Sequence, residues 1–162
     1  MNDIEITGYV PGAIGKITEL HATYYSKHSG FGLFFEAKVA TEMSEFLSRY
    51  DKNWDRFWIV TKNGEIVGSI VIDGVKRETE GAHLRWFIVA PQYQGQGIGN
   101  KLLQKAVEFC KEKRFKRVYL CTITGLDRAR HLYEKFGFRL ALEHRDNQWG
   151  VTAAEQMFEL FL

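Results

Sequence analysis

The chain has 162 residues, a formal net charge of +2, 45% hydrophobic and 26% charged residues. That balance excludes disordered and fibrous chains and fits a single domain over residues 1–162 with a sizeable core. So small a charge does not by itself argue for a nucleic-acid partner, and the cluster Lys111, Lys113, Arg114, Lys116 and Arg117 reads as a solvated helix end and turn.

Residues 4–9 alternate like a short strand. Pro11 and Gly12 open a helical segment to about His28, with Ile14, Ile17, Leu20, Ala22 and Tyr24 at helical spacing, and Ser29-Gly30 breaks it. A second helix is expected from Leu33 to Tyr50, with Phe34, Phe35, Val39, Met43, Phe46 and Leu47 as its stripe. Phe57 to Val60 reads as a strand, Asn63-Gly64 as a hairpin turn, and Ile66 to Ile72 as the returning strand. His83 to Val89 is a third strand, ended by Pro91. The spacing of Ile98, Leu102, Leu103, Ala106, Val107 and Cys110 predicts a helix over 98–113. Val118 to Cys121 reads as a strand and Asp127 to Phe136 as a helix stopped by Gly137. Strands at 139–144 and 155–160 close the chain. The order β-α-α-β-β-β-α-β-α-β-β describes an α+β domain with a mixed sheet.

Cys110 and Cys121 sit among apolar residues and are expected to be buried free thiols. The histidines show no metal-ligand spacing, so no metal is expected. No stretch is long and apolar enough to span a membrane. The opening Met-Asn-Asp-Ile-Glu-Ile lacks the basic-then-apolar pattern of a leader peptide. The expectation is a cytoplasmic protein with neither membrane nor nucleic-acid partners.

Gly95, Gly97 and Gly99 lie between a strand and a helix. Free N–H groups at a helix start, together with the helix dipole, favour an anion. The nucleotide P-loop fails because Asn100-Lys101-Leu102 follows the last glycine, and the dinucleotide fingerprint fails because its third glycine would fall on Asn100 or Leu102.

The stretch Leu84 to Gly99, with Gln94, Gly97 and Gly99 in a Gln-x-x-Gly-x-Gly pattern, resembles the GNAT acetyltransferase superfamily. So does Ala129-Arg130-His131-Leu132-Tyr133-Glu134-Lys135-Phe136-Gly137-Phe138 downstream. More narrowly, Glu143-His144, Gln148-Trp149-Gly150 and Glu155-Gln156 resemble the acetyltransferase half of bacterial MarR-type regulator fusions. The resemblance implies a mostly antiparallel mixed sheet flanked by helices, acetyl-CoA as co-substrate, and transfer of its acetyl group to a primary amine by direct attack in a ternary complex. It implies that Phe87, Ile88 and Val89 line the pantetheine arm. Gln94, Gly95, Gln96, Gly97, Ile98, Gly99 and Asn100 hold the pyrophosphate. In the same implied set, Ala129 is the matching alanine, and Leu126 stands where many members carry an asparagine that touches the arm. Tyr133 matches the tyrosine near the cofactor sulfur and is the expected general acid.

The attacking amine must be neutral, and the charge developing on the carbonyl oxygen needs a donor, such as a main-chain N–H near Val89. His83, with an ordinary pKa of ~6.5, and Glu36, amid Phe34, Phe35 and Ala37, are candidates for the base. A water chain and an ordinary surface role for either residue stay open. So does a covalent route through Cys121. The acceptor is a small-molecule or protein amine. A homodimer through the C-terminal sheet edge is a further expectation. The competing reading is a catalytically inactive acyl-CoA-binding sensor or partner domain, and a longer acyl group is a third.

Overall fold

Asn63 and Gly64 both adopt left-handed backbone (φ 51° and 81°), as a two-residue hairpin requires. In the computed structural model, which describes residues 3–162, they join β2 (Arg56–Lys62) to β3 (Glu65–Asp73). Before them come β1 (Ile4–Thr7), α1 (Ala13–Ser29) and α2 (Leu33–Ser48). After them come β4 (Ala82–Val89), a 3-10 turn at Pro91–Tyr93, α3 (Ile98–Glu112), β5 (Arg117–Ile123), α4 (Asp127–Lys135), β6 (Arg139–Asp146) and β7 (Ala153–Phe161). The element order matches the sequence reading, and the boundaries shift by a few residues at most. Met1 and Asn2 lie outside the described residues.

One seven-stranded sheet runs β1-β2-β3-β4-β5-β7-β6. Every neighbouring pair is antiparallel except β4–β5, which is parallel and so needs the crossover that α3 supplies. Leu102, Leu103, Ala106 and Cys110 of α3 pack with Ile70, Ile72 and Leu120 on one face. On the other face Ile17 of α1 and Phe35, Val39, Met43 and Phe46 of α2 pack with Phe57, Ile59 and Val71. β3 is buried on both sides, which is why its sequence is a continuous apolar run rather than an alternation. Among the described residues, no helix is long and apolar enough to cross a membrane.

Two buried aspartates tie the sheet to the α2–β2 connection. Asp55 accepts the N–H groups of Gly74 (2.8 Å) and Asp51 (2.9 Å). Asp73 accepts a bidentate pair from Arg49 (3.1 and 2.8 Å) and a third bond from Arg85 (3.1 Å). Burial alone would raise the Asp73 pKa, but the hydrogen bonds from Arg49 and the Val75 N–H, together with the Arg49 and Arg85 charges, outweigh it and the carboxyl is held below its usual range.

The α4 terminus fixes Tyr133. Gly137 is left-handed (φ 95°), its N–H bonds to Glu134 O (3.0 Å), and the Phe138 N–H bonds to Tyr133 O (3.0 Å). The Phe138 ring packs on Tyr133 at 6.0 Å, completing a Schellman cap. A Cβ at Gly137 would also stand 3.3 Å from Leu160. Gly137→Ala is therefore expected to destabilise by about 1–2 kcal/mol, the cost of a left-handed L-residue. A lowered denaturant midpoint at unchanged slope checks this.

Candidate active site

β4 and β5 pair only at Ala82–Val118 and His83–Tyr119, then separate. The divergence coincides with a bulge. Arg85 opposes Val71 and Ile88 opposes Ser69, so Trp86 and Phe87 together face Ile70. Trp86 has a left-handed backbone (φ 45°), and its carbonyl accepts the Ser69 hydroxyl at 2.6 Å. Beyond the bulge the Ala90 N–H bonds to Val67 O at 2.8 Å. Strand alternation then turns the Val89 N–H away from β3, into the gap toward β5.

The glycine loop closes one end of the gap. Gly95 (φ 79°) and Gly97 (φ 84°) make the turn into α3. The first helical bond is the Lys101 N–H to Gly97 O (3.1 Å), so the amides of Ile98, Gly99 and Asn100 have no helical partner. Among the described residues, no backbone acceptor takes the N–H groups of Gly95, Gln96 or Gly97. Gln94 differs from expectation. Its N–H bonds to Pro91 O (3.3 Å), and its side chain donates to Val89 O (3.0 Å). The open donors therefore begin at Gly95, and Gln94 acts as a brace between loop and strand. Arg128, from α4, brings its guanidinium to 3.9 Å from where a Gly95 Cβ would stand. Lys135 Nζ bonds to the Asn100 side chain (3.0 Å). This is a donor-rich, cation-flanked cradle for an anion.

In the gap lies a cavity of about 190 Å³. Tyr25, Phe31, Phe35, Trp86, Phe87 and Trp149 supply its aromatic walls; His21, Glu42, His83, Arg85, Cys121, Gln148 and Tyr133 supply polar atoms. Glu42, His83 and Arg85 also line an adjoining, more charged compartment of about 280 Å³. Tyr133 is 6% exposed and packs on Phe87, Phe138 and Phe158. Burial, then the neighbouring Tyr25, pushes its pKa far up, so the hydroxyl keeps its proton at neutral pH.

The other expected residues fare differently. His83 stacks on Tyr119 (4.5 Å), and burial, then the Arg85 charge, lowers its pKa to about 3. The expectation of an ordinary imidazole does not hold, and His83 is too weak a base for neutral pH. Glu36 is exposed in the first turn of α2 and does not line the cavity. Six residues on, Glu42 does. Leu126 starts α4 and packs against the α1–α2 core, while Ala129 packs against the α3 core. Cys110 is buried, but Cys121 is exposed, with its thiol pKa raised by partial burial and then by Glu155.

One cavity-lining group was not singled out from sequence. His21 is 5% exposed, with Nδ1 bonded to Ile17 O (2.8 Å). Its place on the α1 stripe, four residues after Ile17, was the available signal. Glu155 is 2% exposed on β7. The sequence marks it only within the Glu155-Gln156 resemblance, with no sign of its burial.

The family model described as Acetyltransferase (GNAT) family matches residues 16–138. The uncharacterized N-acetyltransferase YjgM of Escherichia coli (strain K12) is 33% identical over 111 residues, covering 68% of this chain and 64% of YjgM, so the chain spans just under two thirds of that relative. An acetyltransferase from Streptococcus agalactiae 2603 superposes with TM-score 0.77 at 21% identity, over 100% of both chains. YncA of Salmonella typhimurium, solved with its cofactor acetyl-CoA, superposes with TM-score 0.75 at 16% identity, over 99% of this chain and 95% of YncA. At these identities the two structures establish the fold.

His21 and His83 carry a pH signature. Burial lowers the His21 pKa to about 4 and the His83 pKa to about 3, against ~6.5 in an unfolded chain. Between these values the unfolded chain binds more protons, so stability is full above pH ~6.5 and falls as pH drops toward the folded-state values. Ring NMR titration is expected to show neither histidine charging above pH ~5. A midpoint near 6.5 for either contradicts this placement.

Proposed function

This chain belongs to the GNAT acetyltransferase family, and from that premise we propose that it transfers an acetyl group from acetyl-CoA to a primary amine by direct attack in a ternary complex. The observation that carries this reading is the separation of β4 from β5 beside the open amides of the glycine loop.

The residues present fit acetyl-CoA. The amides of Gly95 to Asn100, with Arg128 alongside, suit a diphosphate, and the free edge of β4 at Phe87 to Val89 suits an amide-bearing arm lying like an extra strand. When bound, acetyl-CoA supplies an activated thioester. The Val89 N–H, already turned into the gap, stabilises the negative charge developing on the carbonyl oxygen. Tyr133, protonated throughout the neutral range, gives a proton to the departing sulfur. The acceptor must lose a proton first, because a lysine-like amine has a pKa of ~10.4 and is almost wholly charged at neutral pH. His83 is depressed too far to take that proton efficiently.

The aromatic cavity walls suit an acceptor with an apolar body, either a small molecule or a protein side chain or terminus. The narrower likeness to regulator-fused acetyltransferase domains rests on the run from Glu143 to Gln156. A homodimer through β6 belongs to the same reading, since β6 is a sheet edge with Leu140 and Leu142 exposed.

Calorimetric titration with acetyl-CoA and thiol release over a panel of primary amines test the proposal. Tyr133→Phe is expected to lower kcat by about 10²-fold or more with Kd for acetyl-CoA unchanged. Full turnover in the variant removes Tyr133 from the chemistry. Binding without thiol release for every amine supports the inactive sensor instead.

A further inference from the structure

Glu155 is a buried carboxyl group with no ion-pair partner within 4.0 Å among the described residues. It is 2% exposed, and Gln148 Nε2 donates to its Oε1, while Oε2 is buried and has no partner among the described residues. A carboxylate in that state is costly unless a cation completes it.

Its surroundings say where the cation comes from. Glu155 stands opposite Ile123 on β5 and His144 on β6. Ile123, its strand neighbour Cys121, and Gln148 line the aromatic cavity together with Tyr133. Gln148 lies between the carboxylate and that space, so its amide occupies the donor position an ammonium would take. His144 and Asp146 of β6 bring ligand atoms within 4.8 Å, and Cys121 of β5 feels the Glu155 charge. The cation on α2, Lys38, is held over the Trp149 ring (5.7 Å) and against Glu42 (3.6 Å).

We propose that Glu155 seats the ammonium of the acceptor, a primary amine on an apolar body, and receives the proton it sheds before attack. This rests on the acetyltransferase reading above. The ammonium displaces Gln148 and donates to both carboxylate oxygens, while Phe31, Phe35 and Trp149 flank its apolar body. Of the two protons the nitrogen loses, one goes to Glu155 and then to solvent; the other replaces the proton that Tyr133 gives to sulfur. The new bond is C–N, and the bond broken is C–S.

The test compares the full chain with Glu155→Gln, using hexylamine, benzylamine and phenethylamine. The variant is expected to lose about 10²-fold or more in kcat/KM for these amines, with Kd for acetyl-CoA unchanged. Its thermal midpoint is expected to be equal or higher, because an uncompensated charge is removed. A purely structural role predicts a lower midpoint with kcat/KM for the amines intact, which overturns the proposal.

A second readout needs no turnover. Glu155 raises the Cys121 pKa, so amine binding to the CoA complex should speed alkylation of Cys121 by iodoacetamide in the wild type and not in the variant. If no amine is acetylated yet this effect appears, the acetyltransferase reading fails and the ammonium seat stands. If amines are acetylated equally by both proteins, the seat fails and the reading stands. Saturable zinc sulfate binding that needs Glu155, with no amine effect, also overturns it in favour of a metal on His144, Asp146 and Glu155.

Discussion

Everything at the site depends on β4 and β5 being joined at one end and apart at the other. Two adjacent pairs, Ala82–Val118 and His83–Tyr119, are enough to fix the parallel register. Past them, the main-chain groups of β4 that do not face β3 have no strand to bond to. A gap with unpaired donors inside a sheet is unstable unless something fills it. The cavity, the inward Val89 N–H and the place of Tyr133 beside Phe87 all follow from that one opening.

The opening is held by strain that the rest of the fold offsets. A left-handed Trp86 costs on the order of 1–3 kcal/mol. Ser69 bonds its carbonyl, the Arg85 guanidinium lies 4.1 Å over its ring, and Phe46 packs on it at 5.7 Å. Arg85 is in turn fixed by Asp73 and Glu42, and Asp73 also holds Arg49, whose guanidinium covers Phe46. Asp73 thus steadies the bulge through two arginines without entering the cavity chemistry itself. The charged compartment beside the cavity is mainly this brace seen from outside.

Local chemistry carried much of the account. The Asn63-Gly64 turn, the α3 stripe and the Gly137 cap were legible because each depends on neighbours within a few residues. The glycine loop was legible for the same reason, since its amides belong to one turn and one helix start. What failed depended on distant packing. Glu36 and Glu42 both lie on α2, and only the angle at which the helix meets the sheet decides which one sees the cavity. An ordinary pKa was expected for His83 because nothing local announces that it stacks on Tyr119 and faces Arg85. Cys121 was expected inside because its strand neighbours are apolar, yet the widening gap leaves it exposed. The burial of Glu155 follows from the insertion of β7 between β5 and β6, a pairing that no short-range signal encodes.

Amide hydrogen exchange with and without saturating acetyl-CoA addresses the central claim most directly, because the donors assigned to the ligand are backbone N–H groups. The account predicts slowed exchange at Val89 and across Gly95 to Asn100, with β1 and β2 unchanged. Bound acetyl-CoA that leaves those amides exchanging at their free rate would contradict it.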